Sequence, residues 1–156
     1  MPKRAVIGIG NILMGDDGIG PLLIERAKER FGHIPDVVFL DEGTIGFGLV
    51  HVIKDYDEVI IIDSGDMGKV PGEFGIFSLE EVKSSKFCQG LSLHESDLLK
   101  VLEASRAMGE LPARLRILAI QPKEIGWSGT ISRELTERIG DYLDALRIEL
   151  GIDGTP

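Results

Sequence analysis

Cysteine is almost missing: Cys88 is the single one in 156 residues. That excludes an intramolecular disulfide framework and a zinc site built on thiolates. Long apolar runs are missing too. The most apolar stretch, residues 59–62, is far short of the ~20 residues needed to cross a bilayer. The opening MPKRAVIGIG enters a β-branched run at once and carries no secretory pattern. Basic residues are in deficit, with 17 Lys and Arg against 26 Asp and Glu and a net charge of −9. Nucleic acid and anionic membranes reward clustered Lys and Arg, so neither is an expected partner. Together these features suggest a soluble cytoplasmic protein with a solvated acidic surface.

What is present reads as one domain over residues 1–156, with 150–156 expected to fray. At 43% hydrophobic the chain can bury a core. Residues 4–9, 37–40, 58–63 and 115–120 read as strands, and 75–78 as a weaker one. Ile19, Leu22, Leu23 and Ala27 recur at helical spacing, and Leu49, Val50, Ile53 and Tyr56 suggest a second, shorter helix. A third is expected to begin at Ser92, where Glu95 completes a capping box. The last is expected from 132 to 150, with Leu135, Ile139, Leu143 and Leu146 on one face. Strands alternating with helices give an α/β fold: a twisted, mostly parallel sheet flanked by helices on both faces.

Ligands of such sheets sit beyond the carboxyl ends of the strands. The residues that follow the strands there are Asn11, Asp16 and Asp17, then Asp41, Glu42, Gly43, Thr44 and Gly46, then Asp63, Ser64 and Asp66. His94 precedes the third helix. Gly8 and Gly10 match the first two glycines of a dinucleotide fingerprint, but Leu13 stands where the third belongs. The adjacent carboxylates of Asp16 and Asp17 would repel a pyrophosphate. A Rossmann-like nucleotide-binding module remains the alternative, with the glycines serving only a tight turn as its plain counterpart. Asp17, Asp63 and His94 together suit a borderline divalent ion such as Zn²⁺ or Ni²⁺. Taken singly, each has an ordinary reading: a helix cap, a strand end, a surface histidine. Ser64, His94 and an Asp make a hydrolase triad on paper, without the G-x-S-x-G elbow that would support it.

The segments GIGNILMGDDGIG, LDEGTIG, VIIIDSGD, SLHESDL and LAIQPKEIGW occur in the order seen in the hydrogenase maturation protease family. The resemblance extends from Ala5 into the final helix. It implies an endopeptidase that removes the C-terminal extension of a [NiFe]-hydrogenase large-subunit precursor after nickel insertion. It implies that Asp17, Asp63 and His94 contact nickel, that the metal is supplied by the substrate, and that the isolated protein holds no tightly bound metal. The first position is Glu or Asp across the family; Asp17 shortens the reach by one methylene. Asp16 is then structural, and Asp17 or Asp41 is the general base if a carboxylate activates water.

Overall fold

The computed structural model describes residues 2–44, 48–84 and 93–152, with only the backbone described for 93–97. Five strands form one sheet in the order β2-β1-β3-β5-β4. They are β1 Arg4–Ile9, β2 Val37–Gly43, β3 Glu58–Ser64, β4 Phe74–Phe77 and β5 Arg114–Ile120. The first, second, third and fifth are parallel; β4 alone runs antiparallel, on the edge beside β5. β3 is buried from Val59 to Ser64 because both its faces are covered, which explains its unbroken apolar run.

Each face has its own core. Ile7, Ile9, Val59 and Ile61 pack against α2 Gly48–Ile53, α3 Leu79–Lys83 and α4 Leu93–Ala107. Val6, Ile60, Ile62 and Leu118 face the other way. They meet α1 Ile19–Phe31, α5 Arg133–Thr136 and α6 Ile139–Glu149. Alternate side chains of a strand point to opposite faces, so a single VIII run feeds both cores. In α1, Ile19, Leu23, Ala27 and Phe31 supply the buried stripe.

The structure differs from expectation in two elements. The final helix is two pieces, broken at Arg138, whose backbone lies at φ −108° and ψ 10°. The break lets the Arg138 guanidinium donate to the Gly72 carbonyl at 3.0 Å and lie over the Phe74 ring at 5.2 Å. Tyr142, one turn on, donates its hydroxyl to the same carbonyl at 2.7 Å. Near the C-terminus Leu150 is buried, its carbonyl accepts from Arg4, and the Ile152 amide bonds the Arg147 carbonyl; residues 153–156 of the tail expected to fray lie outside the described residues. A helix not anticipated, α3, begins with a capping box between Ser78 and Glu81. The box expected at Ser92 and Glu95 lies outside the described residues.

Strand order reverses at β1, which has β2 on one side and β3 on the other. Connections leave a crevice at such a point, beyond the carboxyl ends of the strands. In this chain β1 and β3 deliver Asp17 and Ser64 there.

Candidate active site

Two glycines allow the turn after β1 to close over the sheet edge. Gly10 has φ +144°, and a Cβ there would stand 1.9 Å from the Asp17 carbonyl oxygen. At Gly20, in the first turn of α1, a Cβ would stand 2.4 Å from the Ile9 carbonyl oxygen and 2.9 Å from that of Ile62. The helix therefore approaches β1 and β3 at backbone contact, with Gly8 equally hemmed in by Gly20 and Ile24.

The turn spends its amides on the protein itself. Gly10 donates to the Gly43 carbonyl, Met14 to Asn11, Gly15 to Ser128, Asp16 to Glu124 and Asp17 to Met14. The Asn11 amide donates to Asp17 Oδ2 at 2.8 Å, and that of Leu13 to Asn11 Oδ1 at 2.9 Å. A phosphate cradle needs such amides aimed at a ligand. Here they knit the loop and orient a carboxylate.

Asp17 is wholly buried in a 3-10 turn, Gly15–Gly18. Its Oδ1 accepts the Ser64 hydroxyl at 3.0 Å. The Ser64 amide in turn donates to Oδ1 of Asp63 at 2.9 Å. One serine thus bridges two buried carboxylates, one in the turn after β1 and one at the end of β3. The sequence pointed to Asp17 and Asp63 and passed over this role for Ser64. The signal was a small hydroxyl residue directly after an acid at the end of the central strand.

Asp16, its neighbour, has a different set of partners. Oδ2 accepts the amides of Lys123 and Glu124 at 2.8 and 3.1 Å and the Ser132 hydroxyl at 2.7 Å. Oδ1 accepts the Ser132 amide at 2.6 Å. Asp16 thereby fixes both ends of the loop between β5 and α5. Beside it, Lys123 Nζ pairs with Glu134 at 3.0 Å; chiefly that hydrogen bond raises the lysine pKa.

The rest of the edge is held by similar devices. Gln121, not singled out in the sequence, accepts the Met67 and Lys69 amides on Oε1 and donates to Asp66 from Nε2. It ties the loop after β3 to the end of β5. Asp41 is exposed at the end of β2, where Oδ1 accepts the Gly43 amide at 2.9 Å. It stands on the rim of a groove of about 420 Å³ that Ile12, Gly18, Pro21, Leu22 and Ile131 also line. His33 and His51 are exposed. Gly46, Cys88 and the His94 side chain lie outside the described residues; the His94 backbone is in the first turn of α4. Among the described residues no three His, Cys, Asp or Glu side chains form a metal cluster. The third member of the anticipated set is His94 itself.

Relatives of known description share this architecture. A family model described as hydrogenase maturation protease matches residues 21–147. The Hydrogenase 2 maturation protease of Escherichia coli K12 is 34% identical, over 97% of this chain and 94% of that one. The hydrogenase expression/formation protein HupD of Rhizobium leguminosarum bv. viciae is 33% identical over 84% of this chain. The matched region spans 65% of that longer protein. Among solved structures, the hydrogenase maturating endopeptidase HybD from E. coli superposes with a TM-score of 0.85 at 30% identity, covering 95% of this chain and 91% of that one. A [NiFe] hydrogenase maturation protease HycI from Thermococcus kodakarensis does so at 0.75 and 26% identity, covering 96% and 93%.

Proposed function

The chain belongs to the hydrogenase maturation protease family, and from that premise we propose that it cleaves the C-terminal extension from a [NiFe]-hydrogenase large-subunit precursor. The observation that carries the site assignment is the Ser64 bridge between Asp17 and Asp63 at the carboxyl edge of the sheet. Two buried acids held close together repel one another unless a cation is added. A divalent ion carried by the substrate is that cation. Carboxylate oxygens with an imidazole form a donor set suited to a borderline ion such as Ni²⁺. Asp17 and Asp63, with His94 from α4, hold the substrate at its nickel, which also supplies Lewis-acid polarisation.

Proton transfer falls to a carboxylate in contact with water. Both Asp17 oxygens accept one hydrogen bond, from the Asn11 amide and the Ser64 hydroxyl, which leaves each a lone pair for the metal but keeps the side chain away from bulk water. Asp41 is exposed at the groove rim. It is therefore the better placed general base for a water that attacks the scissile carbonyl. The remaining residues position these groups: Asn11 orients Asp17, and Asp16 holds the opposite wall.

The nucleotide-binding alternative loses its support from the turn, whose amides are already engaged. Since the metal arrives with the substrate, purified protein carries well under one metal equivalent. On the family reading, the reaction is cytoplasmic. Among the described residues no helix is long and apolar enough to cross a membrane.

The test is mass spectrometry of a nickel-loaded precursor before and after incubation with the protein. Loss of a C-terminal fragment by wild type, and none by His94→Ala or Asp63→Asn, is the expected outcome. Unchanged precursor mass with wild type, or full cleavage by both variants, rejects the assignment.

A further inference from the structure

The loop that orients Asp17 also carries the most exposed apolar residues near the site. Ile12 is 62% exposed and Leu13 57%. Across from them Trp127, the only tryptophan in the chain, is 84% exposed, and Ile125 is 37% exposed. The two loops are joined by backbone: the Ser128 amide donates to the Leu13 carbonyl at 3.0 Å, and the Gly15 amide to the Ser128 carbonyl at 2.6 Å. Asp16 anchors the second loop at Lys123, Glu124 and Ser132. These side chains are thus displayed from pinned backbone. Ile12 is also a wall of the 420 Å³ groove beside α1, so ridge and groove are continuous.

A tryptophan and two aliphatic residues held rigidly in water gain nothing from folding. Clustered and exposed, they mark a contact surface. Rigid aromatic anchors also lose little entropy on binding and dominate interface energetics. From this arrangement we infer that the Ile12–Leu13–Trp127 ridge, with the adjoining groove, is the surface on which the body of the large-subunit precursor docks. The inference rests on the proposed processing activity. A protein substrate that brings its cleavage region to Asp17 must cover the loop that holds Asp17, and Ile12 and Leu13 lie between Asn11 and Asp16 on that loop. The ridge has no charge of its own within a chain of net charge −9. The matching face of the precursor is therefore apolar, with a neutral or basic rim that the acidic surroundings attract.

The test uses the full-length protein and nickel-loaded precursor. Trp127→Ala and Leu13→Ser should keep the wild-type melting temperature, because both side chains are exposed. They should raise KM about tenfold or more, as loss of an interface anchor does, and leave kcat within about twofold. Protein labelled with 5-fluorotryptophan has one ¹⁹F signal, from Trp127, and precursor should shift or broaden it. Normal cleavage with unchanged KM in both variants and an unmoved signal overturns the docking surface and leaves the processing activity standing. A shifted signal without cleavage by wild type supports docking and rejects processing; neither a shift nor cleavage rejects both. A wild-type dimer that Trp127→Ala converts to monomer, with KM unaltered, makes the ridge a contact between copies and overturns the inference.

Discussion

The Ser64 hydroxyl donates to Oδ1 of Asp17 at 3.0 Å, joining the end of β3 to the 3-10 turn that follows β1. Because the same residue's amide holds Asp63, Ser64 sets the separation of the two acids. Ser64→Ala removes the first bond and keeps the second. A hydrogen bond to a charged group contributes about 1.5–3 kcal/mol, so stability should fall by that order. Precursor cleavage should fall about tenfold or more, since positioning errors of an ångström are costly in catalysis. Urea denaturation and single-turnover cleavage read the two effects separately. Wild-type cleavage by the variant would remove Ser64 from the site.

The adjacent aspartates should separate by phenotype. Asp16→Ala strips four acceptor contacts from the loop between β5 and α5. It should cost about 3 kcal/mol, the upper end of the usual range, because a buried hydrogen-bond network is broken. Asp17→Asn keeps the shape of the side chain and loses its charge. Its melting temperature should stay closer to wild type while cleavage disappears. Thermal unfolding and cleavage assays on the pair decide this; equal destabilisation by the two would contradict the division of roles.

At Gly20 no side chain fits between α1 and the carbonyls of Ile9 and Ile62. Gly20→Ala should therefore lower stability by about 1–3 kcal/mol through overpacking. It should also impair cleavage, because α1 carries the turn that holds Asp17. A variant as stable as wild type in chemical denaturation would show that the helix can retreat without cost.

Alkaline stability depends on Tyr142. Burial pushes its phenol up to about 12, above the ordinary value near 10. Above pH 10 the unfolded chain releases this proton while the folded chain retains it. Stability therefore falls as pH rises from 10 to 12, by at most about 1.4 kcal/mol per unit from this group. Tyr142→Phe should be less stable at pH 8, having lost its bond to Gly72, and should show a shallower decline across that window. Parallel declines for the two proteins would assign the alkaline loss to other groups.

Much of this was legible in the sequence because burial on two faces writes long apolar runs. The strands, the parallel sheet and the edge carrying Asp17 and Asp63 followed from that pattern. The break at Arg138 was not legible: Leu135, Ile139, Leu143 and Leu146 keep one helical stripe across it, and its cause is distant, at Gly72 and Phe74. Asp16 and Asp17 are the same residue type in neighbouring positions, and only their hydrogen-bond partners tell them apart. The bridging role of Ser64 and the whole of Gln121 were missed because both depend on loops that fold back from elsewhere. The box at Ser78 and Glu81 was readable from S-x-x-E and was missed beside a weak strand.

We propose that the substrate's nickel completes the site of Asp17, Asp63 and His94. A nickel-free precursor offers those carboxylates no cation, so its complex lacks the metal–carboxylate contacts that hold the loaded form. The direct measurement is a gel assay of purified protein with nickel-loaded and nickel-free precursor, in parallel and without added metal. The account predicts a shortened product from the loaded form alone. Equal cleavage of the two forms would contradict it.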